Sequence, residues 1–313
     1  MSVTTQQLDY LSSNGSDTVH VLLWEDTSTP PRAVLQIAHG MSEYIDRYAE
    51  FAAYLAQRGF VVCGNDHLGH GATASSSEML GYLSPKDGAN YLVEDVHLLH
   101  NLLLARYPGL PLFLLGHSMG SFITRAYIAK YGEGLAGYIC SGTAGPNPAV
   151  AISLLLADLE KRRIGELGRS EFLDSLAFGS YNKRCPEKRT KFDWLTRDTE
   201  LVDRYVNDPW CGYVFTSAGF RTLFTLLKNV SGSGWADSVP KQLPILMISG
   251  DNDPVGNYSK GPKTIHSLLH KAGVVDLSLK LYKDCRHEIL NETNRQDVYK
   301  DVLDWLSKHI IAQ

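Results

Sequence analysis

The sequence predicts an α/β fold: a mostly parallel eight-stranded sheet with helices on both faces, interrupted once by an inserted helical segment. Three observations carry the prediction. Short apolar runs alternate with longer amphipathic stretches from residue 33 to about 140, the pattern of strands joined by crossover helices. The alternation stops after Gly142 and resumes at about 236. The stretch between is helical in pattern, charged and aromatic, with no clear buried strand. The expected division is 1–145 for the first part of the core, 146–235 for the insertion, and 236–313 for the second part.

Each element has a local reason. Leu8 and Tyr10, then Val19, Val21 and Leu23, alternate with polar neighbours on either side of Asn14-Gly15, a dipeptide suited to a tight hairpin turn. Ala33 to Ala38 is a short apolar run and reads as a buried strand. Asp46 is expected to cap a helix with Tyr48, Phe51, Ala52 and Leu55 on one face, stopped by Gly59. Phe60 to Gly64 is the next strand. A helix over 91–107 ends at Pro108-Gly109, a strand covers 112–115, a helix 119–130 and a strand 135–140. Pro146 and Pro148 flank the entrance to the insertion, and Ser231-Gly232-Ser233-Gly234 marks its exit. The core resumes with a strand over 243–249, a helix over 264–271, a strand over 275–282 and a closing helix over 296–310. That helix carries Val298, Val302, Trp305 and Leu306 on one face.

Composition excludes several function classes. With 44% hydrophobic and 20% charged residues the chain is an ordinary globular protein. Its net charge of −4 and lack of a basic run longer than Lys161-Arg162-Arg163 argue against nucleic acid as a partner. The longest apolar stretch, Ala149 to Ala157, is about half of what a membrane-spanning helix needs. The first residues show no positive n-region or apolar h-region, so no secretory signal is expected. Cys63, Cys140, Cys185, Cys211 and Cys285 are odd in number and scattered without a CxxC pair, which points to reduced thiols and a cytoplasmic location.

The chemistry concentrates on Leu112-Phe113-Leu114-Leu115-Gly116-His117-Ser118-Met119-Gly120, a strand running into G-x-S-x-G and then a helix. In that context the motif is a nucleophile elbow, with Ser118 held on a sharp turn above the sheet. A serine hydroxyl needs a base, and the base needs an orienting carboxylate. Gly250-Asp251-Asn252-Asp253 follows a strand directly and offers two acids, Asp251 and Asp253, that spacing alone leaves open. His287 is the histidine of the C-terminal part that falls on a post-strand loop, whereas His266 and His270, four apart on a helix, and His309 near the terminus fit solvated or core-edge positions. The oxyanion of a tetrahedral intermediate calls for two backbone donors, supplied by the amides of Met119 and, after the early strand, Met41. No metal is expected: His287-Glu288 begins an H-E-x-x-H pattern, but position 291 is Asn, and the pairs His67/His70 and His97/His100 lack a third ligand. Together these readings make an acyl-enzyme hydrolase that needs no cofactor.

Several motifs carry a family resemblance: His39-Gly40-Met41-Ser42-Glu43 with Arg47-Tyr48, Asn65-Asp66-His67-Leu68-Gly69-His70-Gly71, Gly116 to Gly120, Gly250 to Asp253, and Arg286-His287-Glu288. In order and spacing the chain resembles the monoacylglycerol lipase and lysophospholipase branch of the α/β-hydrolases, within the broad serine aminopeptidase S33-type group. The resemblance implies the α/β-hydrolase fold with residues 146–235 as a helical lid. It implies Asp253 rather than Asp251 as the acid, a structural role for Asp66 to Gly71, and a small acyl ester or lipid as substrate. Relatives often carry Gly at the position of Ser121 and Ala at that of Met41, so both residues are expected to narrow the pocket. The greasy start of the insertion, Ala149 to Leu159, is expected to pack on the core, with transient contact to a membrane surface as the rival use. Two other readings compete. An aminopeptidase or amidase would need an acidic cluster for the substrate amine, for which Glu187, Asp193, Asp198 and Glu200 are candidates. A binding protein on the same scaffold would tend to lack a member of the catalytic set.

Overall fold

The computed structural model describes residues 3–310. Its centre is one eight-stranded sheet in the order β1-β2-β4-β3-β5-β6-β7-β8. The strands are β1 (Val3–Leu11), β2 (Thr18–Asp26), β3 (Ala33–Ala38), β4 (Phe60–Asn65), β5 (Leu112–His117), β6 (Gly137–Ser141), β7 (Ile245–Gly250) and β8 (Leu277–Tyr282). β1 pairs antiparallel with β2, and β2 with β4; every other pairing is parallel. The sequence explains the placement. β3 to β7 are buried along their whole length, as interior parallel strands must be. β8 alternates half-buried and exposed residues and lies at the edge.

Ten helices accompany the sheet among the described residues: α1 (Ala49–Ala56), α2 (Gly88–Arg106), α3 (Met119–Tyr131), α4 (Val150–Ile164), α5 (Glu171–Phe178), α6 (Thr199–Asn207), α7 (Ser217–Asn229), α8 (Gly234–Asp237), α9 (Lys260–Lys271) and α10 (Arg295–Ile310). Two apolar layers result. Leu92, Val96, Ile123, Tyr127, Ile265 and Leu269 of α2, α3 and α9 cover one face. Phe51, Leu55, Val298, Val302 and Leu306 of α1 and α10 cover the other. Full burial of each such side chain contributes roughly 1.5–3 kcal/mol. Between β6 and β7 the described residues form α4 to α8 and no strand beyond one isolated bridge, Arg169 with Thr216.

Three local expectations are corrected. Asn14-Gly15 does not make a two-residue turn. Six residues separate β1 from β2, because Ser12 and Ser13 reach the Asp95 carboxylate on α2 while Asn14 Oδ1 accepts from the amides of Ser16 and Asp17. Asp46 caps nothing: it lies inside a 3-10 turn over Ile45–Tyr48, and α1 starts at Ala49 without a side-chain cap. α9 begins at Lys260 rather than at 264, since Pro262 in the first turn forfeits only an amide that has no helical acceptor.

Candidate active site

Ser118 stands between β5 and α3 with φ 54° and ψ −119°, a conformation that side chains rarely adopt. The turn is held by its amide, which donates to the Ser141 carbonyl at 3.0 Å. Packing leaves no room for side chains beside it. A Cβ on Gly116 would sit 2.6 Å from the Gly120 carbonyl oxygen, and one on Gly120 would sit 2.5 Å from that of His39. Both obstacles are backbone, so the glycines of the motif are sterically required.

His287 and Asp253 arrive from two loops at the same edge of the sheet, after β8 and β7. His287 Nδ1 lies 3.0 Å from Asp253 Oδ2, and both side chains are buried. Asp253 Oδ1 accepts from the Val255 amide at 2.8 Å, which fixes the carboxylate. Asp251, the other candidate, turns away: its Oδ1 accepts from the Asp284 amide at 2.7 Å. Burial works against a charge on His287, but the attraction and hydrogen bond of Asp253, helped by Glu288 and Glu43, outweigh it and raise the imidazole above its ordinary pKa. The neighbouring His117, its ring centroid 4.7 Å away, goes the other way. Burial first, and the nearby His287 second, push it down to about 3.

The segment after β3 is held from several sides. His39 Nδ1 lies 2.8 Å from the Gly40 carbonyl, and the His39 ring accepts the His67 amide at 3.0 Å. The Gly40 amide donates to Glu43 Oε1 at 2.5 Å, and the Ser42 amide to His70 Nε2 at 3.3 Å. Asp66 accepts the amides of Ile45 and Ala72, so the Asp66 to Gly71 stretch buttresses the loop. Met41 therefore occupies a braced turn. Met119 is the first residue of α3, where an amide has no intrahelical acceptor.

A buried ionic bridge escaped sequence reasoning. Arg47 meets Glu43 at 2.5 Å and Glu288 through two bonds of 2.8 and 2.7 Å. It thereby ties the loop of Met41 to the loop of His287. Burial opposes the charge on Glu288, yet Arg47 and Asn291 hold its carboxyl at about 2. The only sequence signal was Glu43 four residues before Arg47 and the acid directly after His287; their meeting across 241 residues is tertiary.

Ser118, Met41, Met119 and His287 line one cavity of about 910 Å³. Its remaining wall is largely apolar and comes mostly from the helical segment between β6 and β7, including Leu156, Phe178, Tyr181, Trp194, Leu223 and Phe224. The Trp194 ring packs 5.2 Å from that of His287. Besides Trp194 and Phe224, the aromatic side chains of Phe178, Tyr181, Phe192, Tyr205 and Tyr213 line the cavity. Phe215 is core, and Phe172 and Trp210 are exposed. Ser121 does not narrow the pocket; it is fully buried, its hydroxyl 2.7 Å from Thr143 Oγ1. None of Glu187, Asp193, Asp198 and Glu200 lines the cavity. Asp193 accepts the Thr190 amide and Asp198 caps α6. Among the described residues no helix is long and apolar enough to cross a membrane.

Known proteins agree with this architecture. The chain is 30% identical to a monoacylglycerol lipase of Mycolicibacterium smegmatis over 90% of both chains. It is 26% identical to the monoglyceride lipase of Homo sapiens over 98% of this chain and 92% of that one. A thermostable carboxyl esterase from Bacillus coagulans, solved in complex with glycerol, superposes with a TM-score of 0.91 at 32% identity, covering 99% of this chain and all of the other. The family model described as serine aminopeptidase, S33, matches residues 29–294, a span that holds Ser118, Asp253 and His287. The chain belongs to this serine aminopeptidase S33 family of α/β-hydrolases, in its monoacylglycerol lipase-like branch.

Proposed function

We propose that this carboxylic-ester hydrolase acts on lipids with a single acyl chain, such as monoacylglycerols or lysophospholipids, with Ser118 as nucleophile, His287 as base and Asp253 as orienting acid. One observation carries the assignment: the buried His287–Asp253 pair at 3.0 Å stands behind a cavity that Ser118 and His287 both line. His287 takes the hydroxyl proton as Ser118 Oγ attacks the ester carbonyl carbon, and the amides of Met41 and Met119 receive the charge that develops on oxygen. Collapse breaks the bond to the alcohol, which leaves with the proton from His287. Water then repeats the sequence on the acyl-enzyme, giving the acid and free Ser118.

The substrate class rests on the cavity. Its volume is near the upper end of the roughly 300–1,000 Å³ of small-molecule pockets, and its walls are mostly apolar. Residues 146–235 act as the lid, since their helices supply much of the wall of the cavity that Ser118 lines. Leu155 and Leu159 on α4 and Phe172 on α5 stand outside the cavity lining, whereas Ile152 and Leu176 line the cavity while staying exposed; all five are about half exposed or more. This apolar rim supports brief contact with a lipid surface, which co-sedimentation with phosphatidylcholine vesicles tests; equal binding by Leu155→Ser/Leu159→Ser would refute it. Five buried, unpaired cysteines support a reducing, cytoplasmic setting, which fractionation of cells expressing the protein checks.

A fluorophosphonate probe is expected to label the folded protein at Ser118, and p-nitrophenyl acyl esters to be hydrolysed. Ser118→Ala should abolish labelling and lower kcat on the order of 10⁶-fold. Labelling or turnover that survives this substitution would overturn the assignment.

A further inference from the structure

Arg125 lies on α3 two turns beyond Ser118 and is the largest fully buried side chain among the described residues. Buried guanidinium groups ordinarily face a carboxylate, but every acceptor of Arg125 is neutral. Its NH1 group donates to Thr143 Oγ1 at 3.1 Å and to the Ala144 carbonyl at 3.0 Å. NH2 donates to the Val230 carbonyl, and the guanidinium carbon lies 4.5 Å from the Trp235 ring centroid. Its Nε has no partner among the described residues. Burial lowers its pKa from the ordinary value, the sign of a desolvation cost that the neutral partners do not cancel.

The acceptors share a location. Thr143 and Ala144 lie between β6 and α4, where the chain leaves the sheet for the insertion. Val230 caps α7, and Trp235 belongs to α8, where the chain returns. The two junctions stand 86 residues apart in sequence, from Ala144 to Val230, and meet on one side chain. The same site reaches the nucleophile, because Ser121 Oγ lies 2.7 Å from Thr143 Oγ1 and 2.5 Å from the Ser118 carbonyl oxygen. It also reaches the cavity. Ala144 lines it directly, and so do Phe122, one turn before Arg125, and Leu227, one turn before Val230.

We propose that Arg125 is a positioning residue that pins both junctions of the 146–235 segment to the nucleophile helix and so sets where the lid-borne wall of the acyl cavity stands over Ser118. The proposal rests on the hydrolase reading of the cavity. An apolar side chain would fill the volume but leave the Ala144 and Val230 carbonyls unpaired, and a carboxylate partner would tie Arg125 to one junction only. Neutral acceptors at both junctions let one cation hold the two crossings together. Loosening them displaces the far wall, which a long acyl chain touches and a short one does not.

The test compares Arg125→Met and Arg125→Lys with the parent on p-nitrophenyl butyrate and dodecanoate, alongside amide hydrogen exchange. In Arg125→Met, KM for dodecanoate should rise about tenfold more than KM for butyrate, with kcat on butyrate changing far less. Exchange at 143–150 and at 228–237 should accelerate together while β5 to β7 stay protected. Arg125→Lys, a shorter point donor, should recover part of the KM split. Equal losses on both esters with faster exchange through the sheet, or unchanged exchange at either junction, would overturn the proposal. If Arg125→Met does not fold, Thr143→Val and Trp235→Leu, which keep the cation and remove one partner each, must each loosen both junctions; loosening confined to the mutated side refutes the clamp. Fluorophosphonate labelling separates the two readings. A parent protein that is not labelled sinks the hydrolase reading, while the exchange experiment still decides whether Arg125 joins the junctions.

Discussion

Replacing Asp253 with Asn tests the assignment of acid and base together. The carboxylate oxygen is 3.0 Å from His287 Nδ1 in a fully buried setting. Two unit charges at that separation, with an effective dielectric of about 20, attract by about 5.5 kcal/mol as an upper bound. This corresponds to about four orders of magnitude in rate when the imidazolium forms in the transition state. Asn offers a donor where the acid accepts, so the wrong tautomer of His287 is also favoured, and a loss of about 10⁴ in kcat is expected. The pH profile carries the second signature. In the parent, the base must be neutral to act and its pKa is raised, so the acid limb of kcat/KM should lie above the ordinary histidine value. Without Asp253, burial dominates and the limb should move to lower pH. Stopped-flow release of p-nitrophenol across pH 5–9, read with a fluorophosphonate titration of competent sites, measures both. Asp251→Asn is the control, since Asp251 accepts from the Asp284 amide instead, and its kcat should stay within about threefold. A loss below tenfold in Asp253→Asn, or an acid limb that does not move, would refute the reasoning.

Two further outcomes follow from the same geometry. His39, His67 and His70 are buried and neutral, with His67 and His70 pushed down by burial to about 3 and about 4. Their folded pKa values lie below the unfolded one, so the unfolded chain binds more protons in acid. Stability is then complete above about pH 6.5 and falls as pH drops toward the folded values. His70 alone accounts for on the order of 3 kcal/mol at pH 4. Urea unfolding at pH 7 and pH 4.5 should show the decline, with a smaller decline in His70→Gln; an equal decline would discard this cause. Leu156 reaches the cavity from α4, so Leu156→Trp should shorten the preferred acyl chain. A chain-length series whose optimum is unmoved would show that this wall is not the acyl wall.

Much of the architecture was legible because its causes are local. An interior parallel strand is buried on both faces, so β3 to β7 stand out as short, mostly apolar runs, with Gln36 in β3 bonded to the Val96 carbonyl. The local failures share a cause too. Asn14-Gly15 and Asp46 have clear local preferences, but distant partners decide the outcome: Asp95 on α2 draws the first loop open, and Asp66 takes the Ile45 amide near the start of the turn that holds Asp46.

The sequence by itself determined the strand and helix succession and the place of Ser118 on its turn, since each depends on periodicity and on sterics within a few residues. Only the tertiary structure decided which aspartate faces His287. Asp251 and Asp253 are two residues apart and chemically alike, and the choice falls to which side chain the folded loop turns inward. It also decided which groups Arg47 and Arg125 touch, because a cation's partners are set by what folding brings within hydrogen-bonding reach, and Glu288 and Val230 lie far along the chain.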